Sequence, residues 1–348
     1  MAYTNIKKSS DYFNTKLYTG NDSTNAITGV GHQPDLIWVK SRSAASHSNL
    51  IDSVRGVKKH VSSSSTNAED TEGASNGLSS FDSDGFTWSG RNTGTGTVNE
   101  NSTTYVGWSW SADGTGVANT DGSISSTVSA NTTSGFSIVS YTGTGSVATV
   151  GHGLGVAPSM IIVKRRTGDA GDWRCYHKSL GEDYLIRLNL TDASLDNPSW
   201  NDTAPTSSVF SIGTNGDVNT SGGNHIAYCF ADVQGFSKFE SYVGNGSADG
   251  TFVYTGFKPA FVMIKRTNST GNWLMFDSKR DGFNSQNDNL YANTTTAEQS
   301  DGALDIFSNG FKCTVTGTDT NGSGSTYIYM AFAENPFVTS TGIPVTAR

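Results

Sequence analysis

The sequence predicts an all-β protein made of three tandem, related β-sandwich repeats of jelly-roll-like type, each of about 100 residues. Charged residues make up only 16% of the 348 positions, against roughly 25% in an average globular protein, and 40 positions are glycine. Ser, Thr and Asn fill much of the remainder, and they favour turns over helix interiors. One motif also recurs three times along the chain, which indicates repeated structural units.

The recurring motif is a proline, one spacer, an apolar run, and then a lysine with further polar or basic residues. Its copies lie at 34–42, 158–166 and 259–266, and the proline precedes the lysine by six positions in each copy. An aromatic, apolar strand pattern follows each copy, at 106–112, 226–232 and 328–334. Because the motif and the spacing both recur, chance is a poor explanation, and we interpret the chain as three repeats.

The repeats set the expected boundaries along the chain. In order, these are an N-terminal segment and candidate anchor (1–12), repeat 1 (13–112), a Ser/Thr/Gly-rich stretch (113–134), repeat 2 (135–232), repeat 3 (233–335) and a C-terminal tail (336–348). The stretch at 113–134 fits either a linker or a Thr-rich hairpin. Since almost nothing separates repeats 2 and 3, we expect them to form a rigid pair, with repeat 1 set apart.

Within each repeat, short strands between turn signals are expected. The runs at 261–264 and 327–333 are apolar at consecutive positions, which is typical of strands buried on both faces. Asp84-Gly85 and Asn309-Gly310 predict tight hairpin corners. Trp108 alternates with small residues in its strand, so it is expected to point into a core.

Composition excludes several classes of function. The formal net charge of −8 and the pI of about 5.2 argue against a nucleic-acid-binding protein, which needs basic residues to neutralise phosphates. The apolar runs fall far short of the roughly 20 residues needed to span a bilayer, so no membrane insertion is expected. The first residues lack a secretory signal, which indicates synthesis in a cytoplasm. The cysteines have no CxxC spacing, so neither a disulfide framework, a metal site nor a cofactor is expected.

Motifs for catalysis are weak. A glycosidase needs two carboxyl groups facing each other across the sugar. The repeats offer Asp52, Glu69, Asp277 and Glu298 at related positions, but repeat 2 carries His177 at the first of them. The sequence therefore assigns no catalytic residue and favours a protein that is not an enzyme. A polysaccharide depolymerase confined to repeat 3, using Asp277 and Glu298, is the weaker alternative.

Residues of two kinds are candidates for binding. Trp173 and Trp273 are stacking platforms for sugar if they are exposed, with Asp277 close by in the sequence. The basic residues after the central strands would bind phosphate or acidic sugar; they include Lys164, Arg166, Lys265 and Arg266. The alternative, which the sequence favours, is that these basic side chains solvate strand ends or bridge to a neighbouring subunit.

Several strings together resemble a known repeat family. They are Gly-Phe-Ser-Ile-Val-Ser-Tyr-Thr-Gly at 135–143, the motif region at 151–164, Gly-Phe-Ser-Lys-Phe at 235–239, Tyr-Thr-Gly-Phe-Lys-Pro at 254–259, and the strand at 327–336. These strings resemble a repeat family found in tailed phages of marine bacteria and cyanobacteria. The match is close over residues 135–337 and looser in repeat 1, and it supplies no catalytic residues.

The resemblance implies a virion structural protein, typically a tail fibre or other tail-associated appendage. On that basis we expect the protein to reside in the virion after synthesis in the host cytoplasm, and to adhere to a host-surface glycan. Its expected partners are other virion proteins and further copies of itself, as a trimer or hexamer. A capsid decoration or head-fibre protein is the alternative.

Overall fold

The computed structural model describes residues 4–92 and 94–336, and it confirms the all-β fold class. Strands account for 42% of the chain and helices for 3%. The strands form antiparallel sheets that stack as in a β-sandwich. Most of the C-terminal tail, at 337–348, lies outside the described residues, as do residues 1–3. The names first, second and third segment are used below for residues 13–112, 113–232 and 233–336.

The first segment forms three antiparallel sheets from its described residues. Its strands are β1 (Phe13–Thr19), β2 (Asn25–Thr28), β3 (Leu36–Ser41), β4 (Asn49–Asp52), β5 (Lys59–His60), β6 (Asp70–Thr71), β7 (Leu78–Asp82), β8 (Gly85–Trp88) and β9 (Thr104–Trp110). The strand orders are β1-β9-β3-β4, β2-β8-β7 and β5-β6. The first strand therefore pairs with the last, and the last pairs with the central strand β3.

The second segment has one large sheet and one small one. Its strands are β10 (Val117–Asn119), β11 (Ser126–Asn131), β12 (Phe136–Thr142), β13 (Ala148–Gly151), β14 (Met160–Arg165), β15 (Arg174–His177), β16 (Tyr184–Arg187), β17 (Leu195–Asp196), β18 (Val209–Ile212) and β19 (Asn224–Phe230). The large sheet has the order β10-β11-β12-β19-β14-β15-β16-β17, and β13 pairs with β18. One short helix, α1 (Gly216–Asn219), follows β18.

The third segment repeats this pairing. Its strands are β20 (Ser237–Val243), β21 (Phe252–Tyr254), β22 (Pro259–Arg266), β23 (Trp273–Asp277), β24 (Gln286–Tyr291), β25 (Gln299–Phe307), β26 (Gly310–Cys313) and β27 (Thr326–Ala333). They follow the order β20-β27-β22-β23-β24-β25-β26-β21. As in the first segment, the first strand pairs with the last and the last with the central strand, here β22; in the second segment β12 takes the place of the first strand and pairs with β19, which pairs with β14. The apolar runs predicted as core strands lie in β22 and β27 and are buried.

Residues 113–134 do not separate two sheets as a linker would. They supply β10 and β11, and β11 pairs with β12 along its whole length. Ser126 and Val128 of β11 are buried whereas Thr127 between them is exposed. The alternation holds for these three residues and ends at Ser129, which is buried as well.

A stacked ring pair recurs where β1 meets β9, where β12 meets β19 and where β20 meets β27. Tyr18 stacks on Tyr105, Tyr141 on His225 and Tyr242 on Tyr327, with ring centroids 5.1, 5.0 and 4.9 Å apart. The hydroxyls of Tyr18, Tyr141 and Tyr242 also donate to backbone carbonyls, at Val98, Val218 and Thr320 respectively. The three segments thus share detailed contacts as well as strand order.

Two glycines at hairpin corners permit close approach of a neighbouring strand. A Cβ atom at Gly85 would lie 1.9 Å from the carbonyl oxygen of Ile27, and one at Gly310 would lie 2.1 Å from that of Val253. No side chain fits at such distances. The Asp-Gly and Asn-Gly corners predicted from the sequence are confirmed, since Gly85 begins β8 and Gly310 begins β26.

All three segments share one central core, in addition to the core that each has of its own. Trp110 of the first segment lies 6.1 Å from Phe230 of the second and 5.6 Å from Phe332 of the third, between ring centroids. The expectation that the first repeat stands apart from a rigid pair is therefore wrong. The reason is that the apolar strands are buried on both faces, and their second face needs the neighbouring segments to cover it.

The described part of the N-terminal segment, residues 4–12, packs against this central core. Ile6 is fully buried in it, and Tyr12 makes an edge contact with Phe236, with centroids 6.1 Å apart. These residues therefore connect the first segment to the third. The anchor predicted for 1–12 would have to release these contacts or use residues outside the described part.

Candidate functional site

The lysine that ends each repeated motif is buried and bridges two segments. Lys40, Lys164 and Lys265 are 0% exposed. Each Nζ donates one hydrogen bond to a carbonyl oxygen of its own segment, at Ser46 (3.2 Å), Gly171 (2.6 Å) and Gly271 (2.6 Å). Each also donates one to the neighbouring segment, at Thr294 (2.8 Å), Thr66 (2.9 Å) and Thr191 (2.9 Å).

These bridges run from the first segment to the third, from the third to the second, and from the second to the first. They therefore form a closed ring of three interfaces. Burial lowers the pKa of all three lysines from 10.5 to about 8. Lys164 and Lys265, two of the candidate binding residues, thus hold segments together and do not face solvent.

The predicted stacking platforms are buried in the same interfaces. Trp173 and Trp273 are 0% and 1% exposed. The Trp173 indole N–H donates to the carbonyl of Ser62 in the first segment (2.7 Å), and that of Trp273 to the carbonyl of Arg187 in the second (2.9 Å). Neither ring offers a face to a sugar in this structure, because the preceding segment covers each ring. The sequence pattern could not reveal this packing.

Asp277, the remaining acidic candidate, lies in a buried ion pair between the third and first segments. Its Oδ2 accepts hydrogen bonds from Arg280 Nε (2.6 Å) and from the indole N–H of Trp108 (3.1 Å). Its Oδ1 accepts the backbone N–H groups of Lys279 and Arg280, each at 3.0 Å. The carboxylate is 0% exposed.

Asp52 makes the corresponding contacts between the first and second segments. Its Oδ2 accepts from Arg55 Nε (2.5 Å) and from the hydroxyl of Tyr228 (2.8 Å). Both side chains of the Asp52–Arg55 pair are 0% exposed. Tyr228 stands at the register position of Trp108, since each lies opposite the third residue of its central strand.

A second carboxylate and a second arginine extend each pair into a network of four charges. At the third–first interface Glu298 accepts from Arg280 (3.1 Å) and binds Arg42 through two nitrogens, at 2.7 and 2.9 Å. At the first–second interface Glu69 accepts from Arg55 (3.3 Å) and from both Nε and Nη2 of Arg166, at 2.7 and 3.0 Å. Arg166, a candidate binding residue, is thus committed to an ion pair.

Opposite charges alternate in these networks, in the order Asp, Arg, Glu, Arg. One further charge borders each network, because Asp288 Oδ2 lies 3.8 Å from Arg42 Nη2 and Lys59 Nζ lies 3.7 Å from Glu69 Oε1. Burial favours a higher pKa for Glu69, but Arg166 and Arg55 outweigh it and hold that pKa below its ordinary value. This pairing of opposite charges matters because a buried charge without its partner is costly.

The interface between the second and third segments has the same backbone frame, marked by an equivalent backbone hydrogen bond, but lacks the charged side chains. The backbone N–H of Ser194 donates to the carbonyl of Thr267 (2.8 Å), as Glu69 does to Arg166 and Glu298 to Arg42, both at 2.9 Å. His177 takes the place of the aspartate, Leu180 that of the arginine three residues later, Ser194 that of the glutamate and Thr267 that of the second arginine.

His177 adds no charge near neutral pH. Its Nε2 lies 3.3 Å from the carbonyl oxygen of Tyr329 in the third segment. Burial lowers the pKa of His177 to about 4. The whole set of four is thus uncharged at pH 7, whereas the equivalent sets at the other interfaces consist of Asp, Glu and Arg side chains joined in ion pairs.

A groove of about 480 Å³ lies at this uncharged interface. Leu180, Tyr184 and Ser194 line it from the second segment, and Ser241, Thr267 and Thr326 are among the residues that line it from the third. Ser241 occupies the register position of Ser140, whose hydroxyl accepts from Arg166 Nη1 (3.1 Å) in the second segment. With Thr267 in place of that arginine, the volume of the missing guanidinium becomes part of the groove.

Arg266, the last candidate binding residue, is half-buried beside this interface. Its Nε donates to Asn268 Oδ1 at 3.4 Å, and Asn268 also lines the groove. The structure therefore does not gather the seven candidate residues into one site. It distributes six of them over the three interfaces, and leaves Arg266 next to the groove.

Sequence reasoning missed Arg55, Arg280 and the groove. Asp-x-x-Arg occurs at 52–55 and 277–280, whereas 177–180 reads His-x-x-Leu. This spacing was the available signal, because it recurs at equivalent positions in two repeats and is lost in the third. The residues of the groove gave no signal, since isolated serines and threonines are common throughout this chain.

Other chemistries have little basis in the described residues. Cys175, Cys229 and Cys313 are buried free thiols, and burial raises the pKa of Cys313 to about 11. Among residues 4–92 and 94–336, no group of three or more His, Cys, Asp or Glu side chains is arranged to hold a metal ion. In the same part of the chain, no helix is long and apolar enough to cross a membrane.

Comparison with known proteins gives a family assignment. Residues 8–336 match the model of a family described as a domain of unknown function, DUF7483, and the chain belongs to that family. The match spans all three segments. No curated protein and no solved structure matches the chain.

Proposed function

We propose that this member of the DUF7483 family is a structural protein of a bacteriophage virion, part of a tail fibre or tail-associated appendage, with a role in adhesion to host-surface glycan. The observation that carries the proposal is the closed ring of three β-rich segments around one shared core. Such a body presents loops and grooves on a rigid frame, which suits a binding role outside the cell.

The strings that resemble phage repeat proteins support this proposal through their location. They contain β12, most of β14, the start of β20 and nearly all of β27, and several buried apolar side chains of these strands belong to the central core. The resemblance thus involves residues that hold the ring together.

Durability without disulfides also favours a particle component. The three thiols are free and buried, so no covalent cross-link between them holds the segments together. Cohesion comes instead from the shared core, the lysine bridges and the two charged networks. Proteins that must persist outside cells depend on slow unfolding, which extensive burial of this kind promotes.

The proposal is for a binding protein that is not an enzyme. Asp277 and Glu298, the carboxylates that the sequence offers for glycoside hydrolysis, bind Arg280, and Glu298 also binds Arg42. A general acid must meet the glycosidic oxygen, whereas Asp277 is 0% exposed. Release of reducing ends from host polysaccharide by the purified chain would contradict this part of the proposal.

Immunogold electron microscopy of purified virions tests the assignment. Antibody raised against the chain is expected to label the tail or its fibres in virions of the phage that encodes it. Label confined to the head would instead favour a capsid decoration or head-fibre protein. Intact virions without the chain, checked by mass spectrometry, would overturn the virion assignment.

Adhesion is tested separately. The purified chain is expected to bind host cells and to compete with virions for adsorption. Removal of surface polysaccharide from the cells should abolish both effects. A chain that labels the virion but neither binds cells nor slows adsorption would leave the structural role standing and overturn the adhesive one.

A further inference from the structure

We infer that the groove between the second and third segments binds a neutral saccharide. The inference deepens the adhesive role proposed above and names its site and ligand class. The groove lies where the other two interfaces carry an Arg–Glu pair, Arg42 with Glu298 and Arg166 with Glu69. At this interface Thr267 and Ser194 leave that volume open.

Polar groups of the groove are available to a ligand. Among the described residues, the side-chain hydroxyls of Ser179, Tyr184 and Ser241 make no hydrogen bond to the protein, although all three residues line the groove. Each hydroxyl is both a donor and an acceptor. A saccharide hydroxyl has the same dual character, so it can pair with these groups in either direction.

The Thr267 and Thr326 side chains add a fixed polar edge. Their hydroxyl oxygens lie 2.7 Å apart, and the Ser194 hydroxyl donates to the carbonyl of Thr267 at 3.1 Å. These contacts hold the three side chains in one orientation before a ligand arrives. Preorganisation of this kind lowers the entropic cost of binding.

Apolar surface in the groove suits the carbon–hydrogen face of a sugar ring. Tyr184 is 40% exposed and Val243 is 55% exposed, one from each segment, and Leu180 and Ile328 also line the groove. Large apolar side chains this exposed are uncommon beside a buried interface. An aromatic ring with a free hydroxyl offers an apolar face and a polar edge together, which a saccharide matches.

The groove carries no formal charge of its own. None of its lining residues is Asp, Glu, Lys or Arg. Charged side chains lie beside the lining: Lys178 binds both Asp232 and Glu240, Lys238 lies 3.7 Å from Glu240, and Arg266 Nε donates to Asn268 of the lining. Since no cation belongs to the lining itself, the carboxylate of a uronate or sialic acid would lose water in the groove without a cation that lines it, which disfavours acidic sugars.

The volume is suitable for a small ligand. The groove measures about 480 Å³. Small-molecule sites typically enclose about 300–1,000 Å³. Because the groove is open to solvent, a bound ring can continue into a longer glycan chain outside it.

The test uses the full chain and a defined set of sugars. Neutral oligosaccharides of glucose, galactose, mannose and N-acetylglucosamine are titrated in parallel with sialylated and uronate-containing ones, with binding followed by saturation-transfer NMR and calorimetry. At least one neutral sugar is expected to bind more tightly than the acidic sugars. Binding of none of the neutral sugars, or a preference for the acidic ones, would overturn the inference.

Two variants locate the binding in the groove. Tyr184→Ala is expected to weaken binding about tenfold, whereas Tyr254→Ala, a 62% exposed tyrosine outside the groove, should leave it unchanged. The double variant Thr267→Arg with Ser194→Glu fills the groove with the pair that the chain uses at its other interfaces, and it should abolish binding. Circular dichroism establishes that each variant is folded. Unchanged binding in both groove variants would overturn the site.

The sugar-binding test is independent of whether the chain is part of a virion. A chain that is found in the virion but binds no neutral sugar would fail this inference alone. A chain that binds neutral sugar in the groove but is missing from virions would fail the virion assignment alone.

Discussion

The second–third interface and the third–first interface share a backbone frame but differ in charge. Both have a buried lysine that reaches a carbonyl of the next segment, and both have the backbone hydrogen bond beside it. The third–first interface adds the network Asp277, Arg280, Glu298 and Arg42, whereas the second–third interface has four uncharged residues at the same positions.

This difference distinguishes the contacts that hold the three segments in a ring from the contacts that vary between its interfaces. The core and the lysine bridges occur at all three interfaces, so they define the arrangement. The ionic networks occur at two, and the ring closes at the third without one. Buried ion pairs also recover little more than the cost of their desolvation. The uncharged interface is thus free to keep a groove.

The largest effect is expected from breaking one charged network. Asp277→Ala leaves the guanidinium of Arg280 buried without its nearest carboxylate, and it should lower the free energy of unfolding by about 3–5 kcal/mol. Urea denaturation measures the loss. The matched double variant, Asp277→His with Arg280→Leu, reproduces the uncharged pair of the second segment and should recover most of it. If the double variant loses as much free energy of unfolding as Asp277→His and Arg280→Leu lose together, the interfaces are not equivalent.

A smaller effect is expected from the lysine bridges. Lys265→Met leaves the carbonyls of Thr191 and Gly271 without their donor and should cost about 1–3 kcal/mol of unfolding free energy. Lys40→Met removes the same kind of bridge at an interface that keeps its Arg42–Glu298 pair. We therefore expect Lys265→Met to be the more harmful variant in denaturant titrations. Equal losses would mean that the ionic network adds nothing to the bridge.

The lysines also predict a dependence on pH. Burial lowers their pKa to about 8 from 10.5, so the folded chain releases these protons before the unfolded chain does. The free energy of unfolding should therefore rise as pH increases above 8, by on the order of 1 kcal/mol for each lysine up to about pH 9. Above that range the buried thiols oppose the rise, because their raised pKa values let the unfolded chain lose protons first.

Denaturant titrations at pH 7.5, 8.5 and 9 on the wild type and on the three Lys→Met variants measure this slope. Each variant is expected to lose about a third of the lysine contribution, since the three lysines have equivalent surroundings. A flat profile in the wild type would contradict the buried, bridging role.

The smallest effect is expected from filling the groove. Thr267→Arg with Ser194→Glu should change stability by less than about 1 kcal/mol, because a part-exposed ion pair contributes little. Thermal denaturation measures it. A loss of several kcal/mol would show that the second–third interface cannot accept the pair, and that its frame differs from the other two.

The fold class and its core strands could be predicted because they depend on local patterns. Glycine and hydroxyl content, the Asp-Gly and Asn-Gly corners and the apolar runs of β22 and β27 all describe short stretches of chain. The lysine after each central strand was likewise visible as a repeated position. Its bridging role was among the alternatives left open, although the neighbour proved to be another segment of the same chain.

The binding candidates failed for a physical reason. Trp173 and Trp273 fit a sugar platform in composition, but exposure depends on what packs against a side chain, and here it is the preceding segment. The groove is the converse case. It exists because Thr267 and Ser194 are smaller than their counterparts, a comparison that requires the interfaces to be superimposed in space.

The sequence by itself determined an all-β chain with a motif repeated three times, since strand propensity, turns and spacing are local properties. Tertiary structure decided that the segments share one core, that Lys40, Lys164 and Lys265 close a ring, and that a groove lies at the second–third interface, where the other two interfaces have an Arg–Glu pair. These features depend on contacts between residues far apart in the chain. Such contacts form only where burying apolar faces and pairing buried charges outweighs the entropy of bringing distant strands together.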